Sequence, residues 1–411
     1  MSVPAKAGTL SATEARRLTG GTLSLLAGLA AIGTLSTNII LPSFPSMAAE
    51  LGVEPRRLGI TLSAFFLAFA AGQLVVGPLS DRFGRKRLVI GGLMVFIAGT
   101  LLCGMSASLG FLVAGRVVQA LGVSAASVLS RAIARDLFEG EALARALSLT
   151  MIAMAAAPGF SPLLGSGLDY AFGWRSAFAF VGLGGVLLAT CFLFGMGETH
   201  HQDRRAAHRV ATVARAYASL AAEGRFVLPA LAVGLIVGGL STFFGATPAI
   251  LIGVMGLSPL QLGLFFAATV FVVFGAGFLA PRLAHRWGAA QVAMAGAALA
   301  LAGGVILILV SEAPGLASIS VAIVIFLLGM GLVNPLGTAL ALQPFASRAG
   351  LASALLGFLQ MVCSALGTAL AASLPLGPVA ALGCLLAVAA TLAFASLLGL
   401  AARSQRTSND P

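Results

Sequence analysis

Arg116 stands inside an otherwise apolar run, Leu112-Val-Ala-Gly-Arg-Val-Val-Gln-Ala-Leu-Gly122. A guanidinium buried in hydrocarbon costs at least ~2.5 kcal/mol, so it should face a cavity or a partner. Gln119 lies one helical turn along on the same face. Such a pair can bind an anionic or polar cargo group or tune a nearby proton site; a structural arginine held by helix carbonyls is the third reading. Asn38, in Ser36-Thr37-Asn38-Ile39-Ile40-Leu41-Pro42-Ser43-Phe44-Pro45, offers an amide that hydrogen-bonds but cannot titrate. A third constellation, Gly77-Pro-Leu-Ser-Asp81-Arg82-Phe-Gly84-Arg85-Lys86-Arg87, reads as a loop. In it Gly77 permits close helix packing and Gly84 a tight turn. Asp81 can accept hydrogen bonds from a helix N-terminus or an arginine, with Arg82, Arg85 and Lys86 close by. Pro158, Pro162 and Gly165 form a fourth group, expected to break their helix because proline removes a backbone donor.

Softer candidates line helices of the same kind. Gln73, Asn334 and Gln360 are rare polar groups in apolar runs, and Asn334-Pro335 would free a backbone carbonyl. Phe65, Phe69, Met154, Phe244 and Phe358 suit a pocket for bulky apolar compounds, although such side chains serve packing or face lipid more often. Enzyme chemistry lacks its parts: no H-E-x-x-H, no intramembrane Asp pair and no intramembrane His occur, and no Walker A sequence supports primary pumping. Cys103, Cys191, Cys363 and Cys384 lie in apolar runs without metal-ligand spacing. His200, His201 and His208 read as part of a solvated linker. Neither a metal nor any other cofactor is expected.

The elements that must position these residues follow from composition. Of 411 residues, 59% are hydrophobic and 9% charged, and the mean hydropathy is +1.03. A soluble domain carries roughly 25% charged residues, so most of this surface must face lipid. Runs long enough to cross a bilayer, about 20 residues each, occur near 20–41, 57–79, 87–106, 109–130, 146–168 and 176–196, and again near 226–251, 259–281, 289–310, 315–341, 350–374 and 376–401. The expected fold is an all-α integral membrane protein of twelve helices in two six-helix bundles, 20–196 and 226–401. A charged linker, 197–225, joins them, with tails at 1–19 and 402–411. No cleavable leader is apparent, so the first helix should be retained.

If both termini are cytoplasmic, twenty Lys and Arg residues fall on that side and three, Arg56, Arg57 and Arg175, on the other. The positive-inside rule favours that topology. The net charge of +11 is then topogenic, and no nucleic-acid partner is implied. An internal repeat supports the bundles: at an offset of 204, Gly52, Pro55, Leu58, Gly59, Arg82 and Gly84 meet Gly256, Pro259, Leu262, Gly263, Arg286 and Gly288. Two such units place a substrate path at their interface, with the halves rocking about it.

Four of these segments carry a family resemblance. Gly77 to Lys86 resembles the G-x-x-x-D-R-x-G-R-[RK] signature of the major facilitator superfamily, and Arg116 to Gly122 its R-x-x-Q-(G/A)-x-G helix 4 motif. Pro158, Pro162 and Gly165 resemble the antiporter motif of drug-exporting branches. Ser36 to Pro45, with Gly173-Trp174-Arg175 and Phe178, resembles Bcr/CflA-type drug exporters. The resemblance implies a monomer in the bacterial inner membrane that exports small drug-like compounds by proton antiport. It also implies that the Asp81 clasp steadies the outward-facing state. Two departures matter. Asn38 stands where that branch has an acid, so export or uniport of a polar or anionic metabolite engaged by Arg116, with altered or absent proton coupling, is the alternative. In the second half His285, Ala289 and Ala290 replace the acidic and basic clasp residues.

Overall fold

The computed structural model describes residues 20–199 and 210–409. His200, His201 and His208, the tail 1–19 and the linker stretch 200–209 lie outside the described residues. The first half comprises α1 (Gly20–Asn38), α2 (Phe44–Leu51), α3 (Gly59–Phe83), α4 (Arg85–Gly104), α5 (Leu109–Leu137), α6 (Gly140–Phe172) and α7 (Arg175–Gly195). A linker helix, α8 (Val210–Ala221), precedes the second half. That half contains α9 (Gly224–Thr247), α10 (Pro259–Trp287), α11 (Ala289–Leu309), α12 (Leu316–Leu342), α13 (Ala349–Ser373) and α14 (Pro378–Asn409). Among the described residues twelve helical segments are long and apolar enough to cross a membrane. They fall where the apolar runs predict them. In hydrocarbon every backbone N–H and C=O must be satisfied within the segment, which leaves these runs little choice but helix.

The repeat is visible in the backbone. Gly52 and Gly256 have φ of 66° and 70°, and Gly84 and Gly288 have φ of 93° and 85°. Equivalent turns therefore recur 204 residues apart at both ends of the second and eighth spans. The first and seventh spans both distort near one end. The first passes from α1 through a 3-10 turn, Leu41–Ser43, into α2, and α9 continues as a π-helix, Pro248–Val254.

Two expectations need correcting. Pro158 and Pro162 lie inside a continuous 33-residue α6 instead of ending it. Packed neighbours in a bundle compensate the lost donors. The clasp segment is mostly not a loop: α3 stays helical to Phe83, and Gly84 alone makes the turn into α4.

Three cores hold the bundle. One at the end of the first half that carries the chain's start contains Leu26, Leu29, Val89, Leu93, Ile133 and Phe192. Another at the same end of the second half contains Leu220 of α8, Phe226, Phe345, Leu355 and Leu356. The third is shared by both halves, joining Ile39, Phe44, Leu62 and Phe65 to Phe243, Phe244, Leu262 and Phe266. On the terminal face, where the linker lies, the halves thus keep separate cores. The shared cluster joins the halves toward the far face and also runs down the second half to its terminal face, at Val292 and Leu397.

Candidate functional site

Arg116 is fully buried on α5, inside the first half. Its Nη1 donates to Ser36 O of α1 at 3.1 Å and to Gln119 Oε1 at 2.6 Å, and Gln119 Nε2 donates in turn to Thr100 Oγ1 of α4 at 2.8 Å. Above it lies the ring of Phe65, 4.4 Å from the guanidinium carbon, and Phe65 stacks on Phe69 at 6.1 Å. A desolvated contact of this kind contributes about 2 kcal/mol. Among the described residues no carboxylate pairs with Arg116, and its Nε and Nη2 find no protein acceptor. The arginine therefore faces neighbouring helices of its own half. Part of its hydrogen-bonding capacity is unspent.

Asn38 does not join this cluster. It is buried at the end of α1, and its Nδ2 donates to Thr34 O of the same helix at 2.8 Å. The described carboxylates are all found near helix ends or in turns, at Glu50, Glu54, Asp81, Asp136, Glu139, Glu141, Asp169, Glu198, Glu223 and Glu312.

The proline motif of α6, Pro158 to Gly165, packs through its small residues. A Cβ at Gly165 would collide with the carbonyl oxygen of Ile39, so α6 lies directly on the turn after Asn38. Gly159, which the sequence did not single out, sits between Pro158 and Pro162 and presses on Val270 of α10. One face of α6 thus meets α1 and another crosses to the second half. Its counterpart is Gly263 of α10, whose added Cβ would stand 2.8 Å from Leu163 Cα.

The α6–α10 seam is apolar; the α3–α13 seam is polar. There Ser63 Oγ and Thr368 Oγ1 lie 2.8 Å apart, and Arg56 reaches the end of α13. Gln73 is buried in the same seam with Oε1 unpartnered, where an added Cβ at Gly357 would stand 2.5 Å away.

The clasp is made within the first half. Arg85 Nη1 pairs with Asp81 Oδ1 at 2.8 Å and its Nε with Asp136 Oδ2 at 3.2 Å. Asp81 thus takes an arginine and not a helix N-terminus. The N-terminus of α4 is capped instead by Glu198, which accepts from Arg85 N at 2.8 Å and Lys86 N at 3.3 Å. Lys86 Nζ donates to Leu193 O, and the Arg82 guanidinium lies over Phe83. Gly77 has no neighbour within van der Waals reach of an added Cβ, which corrects the close packing expected of it. Tyr217 of the linker helix stands near this group: burial first, and the Asp81 charge second, raise its phenol pKa above the ordinary value.

The remaining candidates scatter. Phe244 packs with Phe243 at 5.2 Å and Phe266 at 4.9 Å in the shared core. Phe358 packs on the second half's terminal core. Met154, Asn334 and Gln360 are half-buried on α6, α12 and α13. Arg56, Gly159 and Glu198 were missed, because each acts on backbone or on a side chain distant in sequence.

This geometry accompanies clear relationships. Residues 26–368 match the family model for the Major Facilitator Superfamily. The chain is 32% identical over 344 residues to the MFS-type transporter YdgK of Bacillus subtilis, covering 82% of this chain and 85% of that one. It is 30% identical over 354 residues to the bicyclomycin resistance protein homolog of Haemophilus influenzae, covering 86% and 88%. Among solved structures, a bacterial homolog of the lysosomal transporter Spinster, in an inward-facing, unoccupied conformation, superposes with a TM-score of 0.70 at 17% identity over 96% of both chains. With its paired six-helix halves, its Asp81 clasp and its relatives of known family, this chain is a transporter belonging to the Major Facilitator Superfamily.

Proposed function

We propose that the protein exports small amphipathic, drug-like compounds across the bacterial inner membrane by alternating access, as a monomer with both termini cytoplasmic. The observation that carries this reading is the division of its cores: shared at the far face, separate at the terminal face. The distribution of basic residues favours a cytoplasmic terminal face, which makes this conformation inward-facing. Rocking of units 20–196 and 226–401 then exposes a path lined by apolar and aromatic groups near Phe65, Phe69 and Phe244. Relatives named for resistance to bicyclomycin, to chloramphenicol and to multiple drugs support that cargo class.

Proton antiport is the coupling that the family resemblance implies. Asn38 cannot carry it, since an amide does not titrate. A second reading, export of an anionic metabolite, rests on the unspent Nε and Nη2 of Arg116. Proteoliposomes with an imposed pH gradient, offered a lipophilic cation, a neutral drug or an organic anion, separate these readings. Drug transport that ignores the gradient removes antiport from the proposal. In that event Asn38→Asp is expected to confer gradient dependence of about threefold or more, the effect of restoring a titratable site. Transport of the anion alone, lost in Arg116→Gln, replaces the first reading with the second.

A further inference from the structure

Arg56 belongs to the 3-10 turn Pro55–Leu58 that leads into α3. It is half-buried, whereas its neighbour Arg57 is exposed. Its guanidinium crosses from the first half to the second. Nε donates to Ala371 O at 2.9 Å, Nη1 to Leu376 O at 3.1 Å and Nη2 to Leu374 O. These carbonyls lie at and just beyond the C-terminus of α13, where the last C=O groups lack intrahelical donors. The helix dipole also concentrates negative charge there. A planar fork with five donors meets three diverging acceptors in a way that a lysine ammonium does not.

The surroundings show that this contact is a closure. Gly59, at the start of α3, faces Ala372, and one turn deeper Ser63 meets Thr368. A narrow cleft between the halves runs beside them, lined also by Phe44, Pro45, Pro248 and Ala249. Those four residues are repeat equivalents at an offset of 204. They sit where the first span turns from 3-10 to α2 and where the seventh becomes a π-helix. The repeat equivalent of Arg56 itself is Leu260, which has no side-chain donor. The opposite seam, α6 on α10, closes through glycine contacts instead.

We propose that Arg56 is the latch of the far-face gate: a helix cap supplied across the interface, which holds α3 against α13 while the gate is closed and lets go before it opens. The latch favours the far-face-closed conformation over its alternative and so sets how often the gate opens without changing what the transporter carries. It is confined to one of two pseudo-symmetric seams, so opening begins with breakage of polar contacts along α3–α13, while the apolar α6–α10 seam serves as the pivot.

Paired cysteines test this without substrate, so the result is independent of the cargo proposed above. A Cβ at Gly59 would lie 3.3 Å from Ala372 Cβ, near the separation of bridged cysteines. Gly59→Cys with Ala372→Cys therefore reports gate closure as an oxidative crosslinking rate in membrane vesicles, read by mass spectrometry of the bridged peptides. Adding Arg56→Ala is expected to slow crosslinking about tenfold, as loss of charge-assisted hydrogen bonds implies. Arg56→Lys, which keeps the charge but not the fork, should slow it about threefold. Arg57→Ala should leave it unchanged. A parental rate in Arg56→Ala overturns the proposal, and so does an equal loss in Arg57→Ala, which would assign the effect to surface charge.

Discussion

At Gly84 the chain turns from α3 into α4 with φ 93° and ψ 156°; at Gly288 it turns from α10 into α11 with φ 85° and ψ 143°. The preceding residues correspond as well, with Arg82 over Phe83 and Arg286 over Trp287, each 5.2 Å from guanidinium carbon to ring centre. The charges do not correspond. The first turn gathers Asp81, Arg85 and Asp136 into two ion pairs and receives Glu198 as a cap, whereas the second presents His285, Ala289 and Ala290. Both halves need the reversal, because two spans must be joined within a residue or so. Only one half carries the ion pairs. Backbone and electrostatics have thus been separated in this protein: the turn is a requirement of the fold, and the ion pairs are a device laid on one copy of it.

The largest expected effect should be shared by the two turns. Both glycines sit in a region of φ/ψ space that side chains rarely occupy, with a cost of about 1–3 kcal/mol for a residue forced there. Gly84→Ala and Gly288→Ala are expected to lower stability by similar amounts within that range, measured as thermal unfolding in detergent micelles. A cost at Gly84 alone would mean that its geometry belongs to the clasp and not to the fold, and the separation would fail.

The next effect should divide the halves. Asp81 is partly exposed and its pair with Arg85 bridges the Gly84 turn between α3 and α4, so its contribution is about 1 kcal/mol, which corresponds to roughly fivefold in an equilibrium. Asp81→Asn should slow initial transport rates by about that factor, while His285→Asn stays within about twofold of the parent. Equal losses at the two positions would show that the second turn retains a clasp function through other groups.

Much of this was legible in the sequence, for reasons that also mark its limits. Spans were readable because a run of some twenty apolar residues has one low-energy solution in lipid. The repeat was readable because Gly52, Gly84, Gly256 and Gly288 occupy backbone conformations that favour glycine. Arg116 was readable as a costly residue, but its surroundings were not. Its contacts are a carbonyl, an amide and an aromatic face, none of which announces itself. Arg56 acts on carbonyls more than 300 residues away, and carbonyls carry no residue signature. The prolines of α6 misled for a related reason: the sequence records the lost donors but not the neighbouring helices that make the loss tolerable. Gly77 suggests a packing contact by its size, yet no neighbouring helix comes within 4 Å of where its Cβ would stand.

The smallest effect concerns Glu198, and it tests whether the linker belongs to the device. Its carboxylate accepts from two of the first backbone N–H groups of α4, a position where negative charge contributes about 0.3–1 kcal/mol. Thr199 beside it donates to Asp136 at 3.3 Å, the same carboxylate that holds Arg85. The start of the linker therefore grips the clasp by two routes. Glu198→Gln keeps the size and an acceptor but removes the charge, and it should lower stability by about 0.5 kcal/mol. Combined with Asp81→Asn, it is expected to give a transport defect smaller than the product of the two single defects, because both substitutions loosen the placement of one arginine. Strict multiplicativity would mean that the cap supports α4 alone and that the clasp works without the linker.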